Sequence, residues 1–151
     1  MPLFGVLPGT EYETEIAAWL RDEYECKVFA WGQEQLPLWV RRTLQKQNYG
    51  LRYEPDLLVG RGTRLWGVDV KSGGGDYSYY VLNQDTYYAQ VALQEAYGFP
   101  FVTMWHDRQC TYLSDLALED MTAMNSAVRG NGRPYFLVPK RFGVHADEVF
   151  G

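Results

Sequence analysis

Apolar and polar positions along the chain change period several times, and each change marks an element. Thr10 and Glu13 are spaced as a capping box behind Gly9, and Ile16, Trp19, Leu20 and Tyr24 then recur at helical spacing, which predicts a helix over about residues 10–24. Lys27–Trp31 reads as a short strand. After Pro37 the run LWVRRTLQKQ has helical character, ended by Asn48-Tyr49-Gly50. Pro55–Gly60 is an apolar strand, Arg61-Gly62-Thr63 a turn, and Arg64–Lys71 a returning strand, so the three make a hairpin. Ser72–Asp76 reads as a glycine-rich loop. Asn83 or Asp85 caps a helix that runs to about Tyr97 and is stopped by Gly98 and Pro100. Phe101–Trp105 is a buried strand, Thr111–Leu113 another, Leu118–Val128 a short helix, and Tyr135–Val138 a last strand after the turn RGNGRP. Helices alternating with strands, without repeat or linker, predict one α/β domain over residues 1–151 built on a mixed sheet flanked by helices.

Composition adds four constraints. With 46% hydrophobic and 22% charged residues, the 151-residue chain can bury a core. No apolar run approaches the roughly 20 residues of a bilayer span. The first residues have no basic stretch ahead of an apolar one, so export is not expected and the cytoplasm is the default. Cys26 and Cys110 lack metal-ligand spacing and are expected as reduced core thiols.

The net charge of −5 counts mildly against a nucleic-acid partner, but the distribution qualifies the sum. Residues 1–34 hold seven acids and two bases, residues 41–71 seven bases and three acids, and residues 129–141 four bases and no acid. The basic stretches are either solvated faces or the flanks of an acidic centre. In the second case Arg41, Arg42, Arg61, Arg64, Lys140 and Arg141 contact phosphates.

The acidic centre is in the hairpin. Folded about Arg61–Thr63, it brings Asp56 at the start of one strand beside Asp69 and Lys71 at the end of the other. Asp69 and Lys71 are two apart and share a face, and Asp56 reaches it if the register permits. Two close aspartates repel unless a cation lies between them. Mg²⁺ or Mn²⁺ suits such a site, with the Val70 carbonyl as a further ligand. Such an ion lowers the pKa of a bound water and stabilises charge on a phosphate under attack. Lys71 beside it positions or deprotonates the water, or neutralises the transition state. Both acids interrupt apolar strands, where a carboxylate without a partner is costly.

Pro55-Asp56 followed by Asp69-Val70-Lys71 resembles the PD-(D/E)XK nuclease superfamily and its restriction-endonuclease-like core. Gly9-Thr10-Glu11-Tyr12-Glu13 is similar to the first helix of archaeal-type Holliday junction resolvases, and Tyr97-Gly98-Phe99-Pro100 running into Phe101–Trp105 matches their helix–strand element. This resemblance implies a metal-dependent, homodimeric endonuclease for Holliday junctions or other branched DNA, with Glu13 as an outer acid. Glu11 and Glu15 compete for that role, and Glu13 has a bland reading as the closing residue of its capping box. The Gln33–Glu54 segment and the tail after Asp107 are longer than those resolvases need. Asp69-Val70-Lys71-Ser72-Gly73 followed by Gln84 and Tyr88 is similar to RecB-type nuclease domains, which implies an exonuclease or end-processing enzyme with Gln84 and Tyr88 lining the site. A non-catalytic DNA-binding or regulatory module on the same fold is the third reading. The compact size suits a phage enzyme acting in the host cytoplasm. Tyr77, Tyr79, Tyr80, Tyr87 and Tyr88 form an aromatic cluster, read either as core or dimer face or as a platform for unpaired bases.

Overall fold

A computed structural model describes residues 11–31, 37–47, 53–71, 78–124 and 133–151. The expected cap at Thr10, the helix stop at Asn48–Gly50, the glycine loop with Tyr77, and the first part of the RGNGRP turn lie outside the described residues. Helix α1 spans Glu11–Tyr24 and buries Ile16, Ala17, Leu20 and Tyr24, the stripe that the sequence spacing marks. It ends at Glu25, which adopts a left-handed φ of 55°.

The main sheet has five strands in the order β1-β2-β3-β5-β6, with β1 at Lys27–Ala30, β2 at Leu57–Arg61, β3 at Arg64–Val70, β5 at Phe101–Met104 and β6 at Cys110–Tyr112. Strands β2 and β3 form the hairpin, from Leu57 opposite Val68 to Arg61 opposite Arg64. Gly62 at its tip has a φ of 61°, which explains glycine there. Strand β3 pairs with β5 in parallel, so the sheet is mixed as expected. The helix α1 and the short α4 (Ala146–Phe150) cover one face, packing Ile16, Leu20 and Phe150 on Val59, Val68 and Trp66.

The opposite side of the core holds helix α3 (Gln84–Tyr97) and a second sheet in the order β4-β8-β7, with β4 at Tyr79–Asn83, β8 at Tyr135–Pro139 and β7 at Thr122–Met124. The Asn83 side chain caps α3 by accepting from the Asp85 N–H, and Gly98 closes the helix at a φ of 81°. Tyr80, Leu82, Phe101, Trp105 and Val138 form this second core cluster.

Three departures from the sequence reading stand out. Strand β4 takes in Tyr79 and Tyr80, which the sequence reading marks only as part of an aromatic cluster. The helix expected over Leu118–Val128 is, in its described part, a 3₁₀ turn at Leu118–Asp120 followed by β7, because pairing of Thr122–Met124 with β8 outweighs a weak helical pattern. Helix α4 was not expected, and its N-cap is His145, whose ring accepts from the Asp147 N–H.

Gly67 shows how tightly the second cluster meets the sheet. A Cβ there would lie 2.8 Å from the Phe101 ring and 2.9 Å from Trp31. Gly67→Ala is therefore expected to destabilise the protein by about 1–3 kcal/mol, read as a lower urea midpoint at unchanged slope. An unchanged midpoint would show that these rings are loosely held.

Candidate active site

Asp56 lies one residue ahead of β2, and Asp69 two residues before Lys71 at the end of β3, so the hairpin register brings all three to one end of the sheet. Asp56 is held from both sides: its carbonyl accepts the Trp31 N–H at 2.8 Å, and its Oδ2 accepts the Val70 N–H at 2.7 Å. The Lys71 N–H donates to the Met104 carbonyl at 2.9 Å, fixing the end of β3 on β5. Asp69 is only 5% exposed. Its Oδ2 pairs with the Lys71 ammonium, whose Nζ stands 2.9 Å away.

The first turn of α1 joins this end of the sheet, where Tyr12 donates to the Trp105 carbonyl at 2.8 Å. Of the three glutamates in that turn region, Glu13 is buried while Glu11 and Glu15 are exposed. Burial first, then the charges of Asp69 and Glu13, push the Asp56 carboxyl up to about 9, against the opposing pull of the Val70 N–H and of Lys71. The Asp69 carboxylate pushes the Lys71 ammonium above the usual lysine range, with burial opposing.

This donor set fits a hard cation. It offers oxygen ligands only, and two carboxyl groups converge there beside a single ammonium. Among the described residues no three His, Cys, Asp or Glu side chains form a closed ligand cluster. An ion here would rest on two carboxylates, backbone and water, as Mg²⁺ commonly does.

The other residues marked in the sequence are dispersed. Arg61 and Arg64 lie at the hairpin tip, roughly 16 Å along the strand from Asp69, where Arg61 donates to the Phe150 carbonyl and Arg64 to those of Val149 and Gly151. Lys140 lies over the Tyr80 ring at 5.3 Å and Arg141 over Phe142 at 4.7 Å. Arg42 is exposed and Arg41 half-buried on helix α2 (Leu38–Gln47). Gln84 donates to the Tyr135 carbonyl at 3.0 Å and so ties α3 to β8. Tyr88 is 52% exposed, whereas Tyr80 and Tyr87 are core residues, which divides the aromatic cluster. Cys26 and Cys110 are buried free thiols, and burial pushes the Cys110 thiol up to about 12.

The inward face of α3 carries Thr86, Tyr87, Gln90 and Leu93 rather than Gln84 and Tyr88. Gln90 is 2% exposed and donates to the Tyr53 carbonyl at 3.0 Å, fastening the segment that leads into Asp56. The sequence signal for it was a polar residue four positions after Thr86 on an otherwise apolar face.

The mixed sheet, with α1 on one face, thus gathers these acids at the open end of the β2–β3 hairpin. No family model matches the sequence, and no curated protein matches it. Among solved structures the chain is similar to Hjc from Archaeoglobus fulgidus, a Holliday junction resolvase from an archaeal hyperthermophile. That likeness has a TM-score of 0.53 at 12% identity, covering 93% of this chain and 96% of that one. D212, a nuclease from a fusselovirus, overlays at a TM-score of 0.43 with 12% identity, covering 99% of this chain and 91% of that one. At such identity the first likeness is one of fold, and the second overlay is too loose to carry an argument.

Proposed function

We propose that the chain is a divalent-metal-dependent deoxyribonuclease that hydrolyses phosphodiester bonds in branched DNA, a Holliday junction being the first substrate to test. The observation that supports it most is the meeting of Asp56 and the buried Asp69 carboxylate at one end of the hairpin beside the Lys71 ammonium, which stands 2.9 Å from Asp69. Asp56, Asp69 and the Val70 carbonyl would hold Mg²⁺ or Mn²⁺, with Glu13 as an outer acid. Such an ion activates a water and stabilises charge on the scissile phosphate. The chain's own groups do the positioning. The Val70 N–H orients the Asp56 carboxylate, and Lys71 holds its ammonium against Asp69 and faces the charge that develops on the phosphate. The raised ammonium favours this electrostatic role for Lys71 over that of a base. Arg41, Arg42, Lys140 and Arg141 contact neighbouring phosphates. Cutting a junction symmetrically needs two sites, hence a homodimer. No described helix is long and apolar enough to cross a membrane, and a DNA substrate implies action in the cytoplasm, including that of a phage host.

The choice of substrate is tested by cleavage of labelled four-way-junction, forked and linear duplex DNA with Mg²⁺. Preferential cutting of the junction supports the resolvase reading. Cutting only from free ends, lost on closed circles, would replace it with a RecB-type exonuclease.

Metal binding also has a pH signature. In the metal-free protein Asp56 keeps its proton up to about 9, and a ligand carboxylate must lose it. Calorimetric titration with Mn²⁺ between about pH 6 and 8 is expected to release about one proton per ion, with affinity rising about tenfold per pH unit. An affinity independent of pH would show that Asp56 is not a ligand.

A further inference from the structure

Helix α2 lies in the connection between β1 and β2, and both ends of that connection are fixed beside Asp56. At the entry, the Trp31 N–H donates to the Asp56 carbonyl at 2.8 Å. At the exit, the Tyr53 carbonyl, three residues before Asp56, accepts from Gln90 at 3.0 Å. Helix α2, Leu38–Gln47, is the described part of the chain between those two anchors. It buries none of its residues and contains no acid, only the three cations Arg41, Arg42 and Lys46.

Its outward face has a definite chemistry. Residues three, four and seven apart share a face, so Trp39, Arg42, Thr43 and Lys46 form one stripe, and all four are exposed. Trp39 is 72% exposed, more than any other large hydrophobic among the described residues. The indole beside two cations presents a flat apolar face and positive charge together.

We infer that α2 is an arm that reads unpaired DNA: Trp39 stacks on an unstacked base at a branch point while Arg42 and Lys46 hold the flanking phosphates. The inference rests on the nuclease reading of the site and specifies its substrate as DNA with unpaired or splayed bases. Charge complementarity selects a polyanion, since the stripe carries two cations and the whole helix no acid. The flat indole selects a base with a free face, which single strands offer and paired, stacked bases do not.

The test is fluorescence anisotropy of the full chain in EDTA, where no cutting occurs, on forked DNA with unpaired arms and on blunt duplex. Trp39→Ala is expected to reduce the preference for fork over duplex about tenfold, and Trp39→Phe to restore most of it. Arg42→Ala and Lys46→Ala are each expected to lower the salt dependence of fork binding by about 0.7 in log–log slope. Equal losses on fork and duplex, or none on either, would overturn the inference. So would loss of self-association in sedimentation by Trp39→Ala with unchanged DNA affinity, since the stripe would then be a contact between two copies. The two readings fail separately. A wild-type chain that binds forks through Trp39 but cuts nothing sinks the nuclease reading alone, and cutting with fork binding indifferent to Trp39 sinks this inference alone.

Discussion

Lys71→Met is expected to lower the melting temperature of the metal-free protein by roughly 8 °C and the rate of DNA cleavage by about 10²–10³-fold. Both effects have one origin. Asp69 is buried to 5% exposure, and the ammonium 2.9 Å away is the charge that offsets it. Breaking a buried pair from one side leaves an uncompensated carboxylate, at a cost of about 3–5 kcal/mol. Lys71 keeps 30% of its side chain in water, so the lower end of that range applies. A domain of this size loses about 2–4 °C per kcal/mol. Methionine keeps the unbranched stem and removes only the charge. Mn²⁺ should restore part of the stability of Lys71→Met, because a cation between the aspartates replaces the missing ammonium. A melting temperature unchanged by the substitution would show that Asp69 does not depend on Lys71.

Asp56→Asn is expected to act with the opposite sign on stability. In the metal-free protein burial and two neighbouring acids push the Asp56 carboxyl up to about 9, while the unfolded chain releases that proton near 3.8, the ordinary aspartate value. The unfolded state therefore binds fewer protons between those values, and stability falls as pH rises through the window. Asparagine is neutral at every pH and can still accept the Val70 N–H. The variant should melt about 5 °C higher than wild type near pH 8 without metal, and the gain should shrink towards pH 4. The same substitution removes a metal ligand, so cleavage should fall at least ~10³-fold. Thermal melts across pH decide the first claim. A variant less stable than wild type at pH 8 would mean that Asp56 is held as a favourable anion by the Val70 N–H and Lys71.

The hairpin was the most legible part of the chain, because a glycine turn fixes register and a two-residue period then fixes faces. Asp56, Asp69 and Lys71 could be placed together for that reason. Helix α1 was legible from its apolar stripe, and its phase buries Glu13 while leaving Glu11 and Glu15 exposed. The second sheet was not legible. Strand β4 is five residues long and begins in tyrosines, and its reason to be a strand is β8, about fifty residues away. Helix α4 hid behind an unusual cap, His145. On α3 the linear pattern favoured Gln84 and Tyr88, whereas the helix phase turns Gln90 to the core. Charge counting marked Arg61 and Arg64 with the other bases, but it carries no information about which end of a strand a side chain occupies. Their guanidinium groups meet the carbonyls at the end of α4.

The most direct measurement is cleavage of branched DNA by wild-type protein and by Asp69→Asn, each with Mn²⁺ and with EDTA, after circular dichroism has shown that both are folded. Cutting by wild type in Mn²⁺ alone, with the variant at least ~10³-fold slower, is the predicted result. Cutting by wild type that persists in EDTA, or by Asp69→Asn at the wild-type rate, would contradict a metal-dependent site built on Asp69, and no cutting of any DNA would leave the fold without this chemistry.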